Sequence, residues 1–98
     1  MRVQWTDRAK TRLHDIHDYI AKENPKAARE VVDKILRRSW QLGELPDIGH
    51  EVEGYEDTDL LEVLVRPYRL IYRKKAPRID VITVLHYRQL LPGDLHLS

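Results

Sequence analysis

The 98-residue sequence contains no cysteine, which excludes a disulfide framework and a thiolate zinc site. It has no run of about 18 apolar residues, so no membrane-spanning helix is expected. The opening stretch, Met1-Arg2-Val3-Gln4-Trp5-Thr6-Asp7, lacks an apolar signal segment and leads us to expect a cytoplasmic protein. There is no phosphate-binding glycine loop and no G-x-S-x-G motif. Internal repeats and low-complexity segments are also missing. No cofactor and no metal is therefore expected. The length suits one domain, residues 1–98. A chain this short buries roughly 60–65% of its unfolded surface, so the core is modest.

Charge is abundant. Acidic and basic residues make up 34% of the chain, yet the net charge is only +1, and that total hides an uneven distribution. Six acids and no base lie between Glu51 and Glu62. Six bases and no acid follow between Arg66 and Arg78. Two accounts fit. An acidic loop can pair with a basic hairpin, or the bases can form a face for an anionic partner. On this feature alone pairing is preferred.

The hydrophobic period changes along the chain. Arg2 to Trp5 suits a short strand. Thr6 is placed to cap a helix whose apolar face is Ala9, Leu13, Ile16 and Ile20. Asn24-Pro25 ends that helix and starts another, since Asn caps well and Pro suits the first helical position. Ala28, Val31, Val32, Ile35, Ser39 and Leu42 form the second apolar face. Arg37 and Arg38 are expected in its last turns, and Gly43 is expected to stop it. The helices, about 7–42, are joined by only a few residues and should form an antiparallel hairpin. Glu44 to Asp59 has no sustained period and is expected to be a long loop. Three strands then follow within about 60–87. Leu61, Val63 and Val65 share one face of the first. Tyr68, Leu70 and Tyr72 share one face of the second, opposite Arg69, Ile71 and Arg73. In the third, Ile79, Val81 and Leu85 are expected to oppose Ile82 and Val84. That strand is apolar on both faces and should be interior. The fold class is α+β: an N-terminal strand (2–5), a helical hairpin and a three-stranded antiparallel meander, in two layers. The tail, 88–98, keeps Leu90, Leu91, Leu95 and Leu97, which either pack on the sheet or dock a partner.

Candidate chemistry is sparse. His14 and His17 have a metal-compatible spacing, but no third ligand is marked and solvated histidines are preferred. Trp5, Trp40, Tyr68 and Tyr72 could stack on bases, but core packing is preferred for aromatics at strand and helix spacing. Arg69, His86, Tyr87 and Arg88 could act on a phosphodiester. Arginine would stabilise the charged transition state, and His or Tyr would move protons. The opposing account is that they flank the sheet and pair with the acidic block.

The element order resembles the RelE/ParE superfamily of toxin–antitoxin toxins. So do Tyr68-Arg69-Leu70-Ile71-Tyr72-Arg73, Val81-Ile82-Thr83-Val84-Leu85-His86, Asp15-Ile16-His17-Asp18-Tyr19-Ile20-Ala21, Asn24-Pro25, Ala27-Ala28 and Leu45-Pro46-Asp47-Ile48-Gly49. The resemblance covers nearly the whole chain. It implies one of two activities. RelE-like toxins cleave mRNA on the ribosome with a basic cluster, whereas ParE-like toxins have no nuclease site and poison DNA gyrase. In RelE-like enzymes the strand before the Tyr-Arg-Leu motif carries lysines. Here it carries Glu62 and no lysine, and an acid repels phosphate. Val84-Leu85-His86, Leu90-Leu91 and Leu95-His96-Leu97 look more like ParE, as does the long helical hairpin.

The expectation is thus a ParE-like gyrase inhibitor with no favoured catalytic residue, held by a cognate antitoxin. Arg66, Arg69, Arg73, Lys74, Lys75, Leu90 and Leu91 are its candidate target- or partner-binding residues. The alternative is a ribosome-dependent mRNA endoribonuclease using Arg69, His86, Tyr87 and Arg88. A homodimer or a toxin–antitoxin hetero-oligomer is compatible with both, and no membrane partner is expected.

Overall fold

The computed structural model describes residues 1–91, so Leu95, His96 and Leu97 lie outside the described residues. The elements are β1 (Arg2–Trp5), α1 (Asp7–Ala21), α2 (Pro25–Glu44), β2 (His50–Glu51), β3 (Leu60–Val65), β4 (Tyr68–Lys75) and β5 (Arg78–His86). The strands form one sheet in the order β1-β5-β4-β3-β2. β1 runs parallel to β5 and all other neighbours are antiparallel. The expected α+β architecture is the one observed, and β5 is interior.

Both helix starts follow from their caps. Thr6 Oγ1 accepts from Ala9 N at 3.1 Å and is itself within 3.0 Å of Val81 O, so one hydroxyl starts α1 and ties it to β5. Asn24 Oδ1 accepts from Ala27 N at 3.0 Å, and Pro25 fills the first position of α2. The expected end of α2 is corrected. The helix continues through Gly43 to Glu44, and Arg37 and Arg38 stand before its last turn. Gly43 serves close approach instead: a Cβ there would meet Met1 O at 2.5 Å. Its carbonyl accepts from the N-terminal ammonium.

The helical hairpin covers one face of the sheet. Trp5, Ala9, Ile16, Ile35, Leu42, Leu70 and Tyr72 belong to that core. Trp5 Nε1 donates to the buried Ser39 Oγ at 3.1 Å, which satisfies the indole inside the core. The other face carries a smaller cluster of Val52, Leu60, Ile71 and Ile82, covered by Tyr55 and Leu91. The stretch expected to be a loop therefore does more. It supplies β2, which pairs His50 with Glu62 and Glu51 with Leu61, and it supplies a lid over the outer face.

One irregularity changes the expected faces of β5. Ile71 pairs with Thr83, but Tyr72 pairs with Val81, so Ile82 is an extra residue forming a bulge. Val84, rather than Leu85, joins Ile79 and Val81 in the helix-side core. Leu85 lies opposite Arg69, and His86 lies opposite Tyr68.

Tyr72 is fully buried. Its Oη donates to Pro46 O at 2.8 Å and accepts from Gly49 N at 3.0 Å. Burial pushes its phenol pKa above the ordinary 10.0; the bond from Gly49 opposes that shift and Asp47 adds to it. Tyr68 is raised as well, by burial and then by Tyr19. A folded value above the unfolded one gives stability that is complete below the unfolded pKa and lost as pH rises through the folded pKa. Urea midpoints are therefore expected to hold up to about pH 10 and to fall beyond it. Tyr72→Phe is expected to make that alkaline fall shallower.

Candidate functional site

The outer face of the sheet holds a cleft of about 690 Å³, lined by Glu53, Tyr55, Glu62, Leu64, Arg69 and residues 87–91. Arg69 projects from β4 on this face, diagonal to Glu62 of β3. Its Nε and Nη2 reach the same Glu62 oxygen at 2.9 and 2.8 Å, and its Nη1 donates to Gln89 O at 2.9 Å. The two side chains are only 14% and 12% exposed. His50 Nε2 of β2 lies 3.4 Å from the other Glu62 oxygen. The arginine is thus held by a carboxylate and a carbonyl, and its charge is already matched inside the cleft.

The tail turn is fastened to the same place. Gln89 Oε1 accepts from His86 N at 2.7 Å and lies 3.4 Å from Arg12 Nη2, while Tyr87 N donates to Pro67 O at 2.8 Å. Tyr87 stacks on His86 with centroids 5.0 Å apart, and Arg88 lies over the Tyr87 ring at 5.3 Å. His86 also meets Tyr68 edge-on at 6.1 Å. Tyr68 belongs to the helix-side core. The bulge at Ile82 therefore puts His86 on the opposite side of the sheet from Arg69. Of the four residues with candidate chemistry, Arg69, Tyr87 and Arg88 line the cleft and His86 does not.

The basic block does not form one face. Arg73 is buried and pairs with Asp59 at 2.7 Å, and Lys74 pairs with Asp47 at 2.7 Å. Arg66 lies in the β3–β4 turn and Lys75 at the far end of β4; neither has an ion pair among the described residues. The acidic block supplies Asp59 and Glu62 to the strand arginines, as the pairing account expects. Leu90 is 91% exposed, whereas Leu91 packs on the outer cluster.

A second concavity, about 730 Å³, lies between β1 and the helical hairpin. Val3, Trp5, Leu13, Val32, Leu36 and Trp40 line it, with Lys10, His14 and His17 at its rim. Trp40 is 53% exposed there, against the expectation that it is core. Its position on α2 turns the ring away from the Ile35–Ser39–Leu42 stripe, an angular offset that sequence spacing alone could have revealed. His14 and His17 both contact Asp18, at 3.3 and 3.1 Å. Among the described residues, no group of three His, Asp or Glu is placed to hold a metal, and no helix is long and apolar enough to cross a membrane.

A helical hairpin laid over a five-stranded sheet is the fold of the RelE/ParE superfamily of toxins. Two solved structures share it. One is the chromosomal ParDE toxin–antitoxin system from P. aeruginosa, with TM-score 0.72 and 24% identity over 88% of this chain and 95% of that one. The other is the toxin–antitoxin complex RelBE2 from Mycobacterium tuberculosis, with TM-score 0.64 and 19% identity over 87% and 95%. In sequence, the chain is 33% identical to the toxin candidate Y4kP of Sinorhizobium fredii over 96% of each chain. The family model described as ParE toxin of type II toxin-antitoxin system, parDE, matches residues 3–91. The chain belongs to that family.

Proposed function

We propose that this toxin inhibits DNA gyrase, trapping it on cleaved DNA, and that a cognate antitoxin neutralises it. The observation that carries the choice against mRNA cleavage is the separation of Arg69 from His86. A phosphodiester-cleaving site needs a proton-moving group within reach of the atom it serves, beside a cation available to the phosphate. Here the arginine is engaged by Glu62 and Gln89, the imidazole stands across the sheet, and Tyr87, which does line the cleft, has its hydroxyl taken by Arg88 Nε at 2.9 Å. Gyrase inhibition is an interaction between proteins and needs neither group.

Supercoiling assays with purified gyrase are expected to show lost activity and accumulated cleavage complexes; unimpaired supercoiling without them would refute the proposal. His86→Ala and Arg88→Ala are expected to leave growth arrest intact. Loss of a general acid or base from a ribonuclease would instead cost roughly 10²–10⁴-fold. Labelling of newly made DNA and protein after induction separates the two targets.

The groove beside β1 is the surface we assign to the antitoxin. It is apolar, and β1 lies at the sheet edge with one side unpaired by another strand among the described residues. A partner helix or strand fits such a site. Lys10 among its lining residues favours an acidic group on that partner.

A further inference from the structure

One cationic cluster takes no part in the sites above. Lys34, Arg37, Arg38 and Gln41 follow one another along a face of α2, and Arg66 faces them from the β3–β4 turn. Together with Leu64 and Val65 they line an open cleft of about 490 Å³. No acid occurs between Lys34 and Gly43; Asp33 and Glu44 bracket the stretch. Lys34, Arg37 and Arg66 are exposed and have no ion pair among the described residues, while Arg38 Nη1 donates to Gln41 Oε1 at 2.9 Å. This contrasts with β4, where Arg69, Arg73 and Lys74 are each matched by a carboxylate.

We propose that this face binds the phosphodiester backbone of a nucleic-acid duplex, with DNA as the partner. Three features select that chemistry. Three of its four cations are arginines, whose planar fork suits phosphate oxygens. They sit on a helix and a tight turn rather than on a long loop, and Lys34 to Arg38 spans about 6 Å of helix axis. Each strand of a duplex carries one phosphate per 3.4 Å of duplex axis, so about two fall within a span of that length laid along the axis. The cleft itself contains no aromatic ring, and Trp40 in the adjoining hollow shares that hollow with Glu44, whose carboxylate repels a strand reaching for the ring, which disfavours a single strand. The contact is sequence-independent, made to backbone and not to bases.

The test uses the full chain and a fluorescent random-sequence DNA duplex, with anisotropy followed across salt concentration. Four phosphate contacts give a slope of log affinity against log salt of roughly −3 to −4. The triple variant Lys34→Gln, Arg37→Gln, Arg66→Gln is expected to remove most of that slope, by about 2.7 in magnitude. These exposed, unpaired side chains can be neutralised without disturbing packing, and circular dichroism verifies the fold. A second triple variant, Lys22→Gln, Lys26→Gln, Lys75→Gln, changes net charge equally at other places and is expected to keep most of the slope. The proposal is overturned if the wild type does not bind at low salt or if the two triple variants behave alike. It is equally overturned if polyglutamate of the same charge binds as tightly as the duplex, which marks an acidic protein, or if duplex RNA binds more tightly than DNA. None of these measurements involves gyrase, so their outcome is separate from that of the supercoiling assay.

Discussion

Replacing Gly49 by alanine is expected to destabilise the fold by about 2–4 kcal/mol, among the larger effects available at a loop position. A Cβ at this position would lie 2.5 Å from Tyr72 Oη, 2.7 Å from Tyr72 Cε1 and 2.9 Å from Glu62 O. Neither neighbour can retreat easily. The ring is enclosed in the helix-side core, and the carbonyl belongs to β3 in the middle of a paired strand. Either the ring shifts and forfeits its bonds to Pro46 and Gly49, or the 45–49 segment lifts off the sheet. Each kcal/mol moves the melting midpoint of a domain this size by roughly 4–8 °C, so thermal unfolding reads the effect directly. Tyr72→Phe removes the nearest clashing atom along with both hydrogen bonds. On its own it is expected to cost about 1–2 kcal/mol. In the double variant the two penalties should sum to less than their separate values, because part of the clash has gone. Wild-type stability for Gly49→Ala would show that the segment yields freely and that the contact does not anchor it.

Trp40→Ala carries the largest expected effect on assembly. The indole lies half in water on the wall of the groove assigned to the antitoxin. An exposed tryptophan bordering an apolar groove is the residue type that dominates binding energy once a partner covers it. Its truncation is expected to weaken toxin–antitoxin affinity by about 2–4 kcal/mol, or roughly 30- to 1,000-fold. The cost to the free toxin should be smaller, about 1–2 kcal/mol, because half of the ring is already solvated. Titration calorimetry with the co-purified antitoxin measures the first quantity and urea unfolding the second. Leu64→Ala, on the outer face of β3, serves as the control and should leave antitoxin affinity unaltered. Equal affinities for wild type and Trp40→Ala would remove the groove from the antitoxin interface.

Much of the fold was legible in local chemistry. Thr6, Asn24 and Pro25 mark the helix starts because their side chains complete the first turn in only one way. The alternation in β3 and β4 correctly separates Val63 and Leu70 from Arg69 and Ile71. Other features depend on partners far along the chain. β2 is two residues long and exists only because β3 offers it an edge. Gly43 resembles a helix stop, but its purpose is set by Met1, which packs against it from the other end of the sequence. The bulge is invisible in β5 because Ile82, Val84 and Leu85 are all apolar, so a one-residue change of phase leaves no trace in the pattern. The candidate site divides in the same way. Glu62 signals by its charge that Arg69 could be matched, whereas the displacement of His86 follows from the bulge alone. Arg37 and Arg38 carry a signal, three cations without an acid across one helical face, that a search for helix-dipole partners passes over.

That bulge has a consequence for descent. Ile82 is the residue the ladder leaves over, so a chain lacking its codon could still pair Val81 with Tyr72 and Thr83 with Ile71, and His86 would stay opposite Tyr68. A chain that kept the codon but absorbed Ile82 into a regular ladder would instead turn every residue from Thr83 to His86 over to the other face. Counting residue types among relatives would miss that event, and only the pairing register of β4 and β5 would record it.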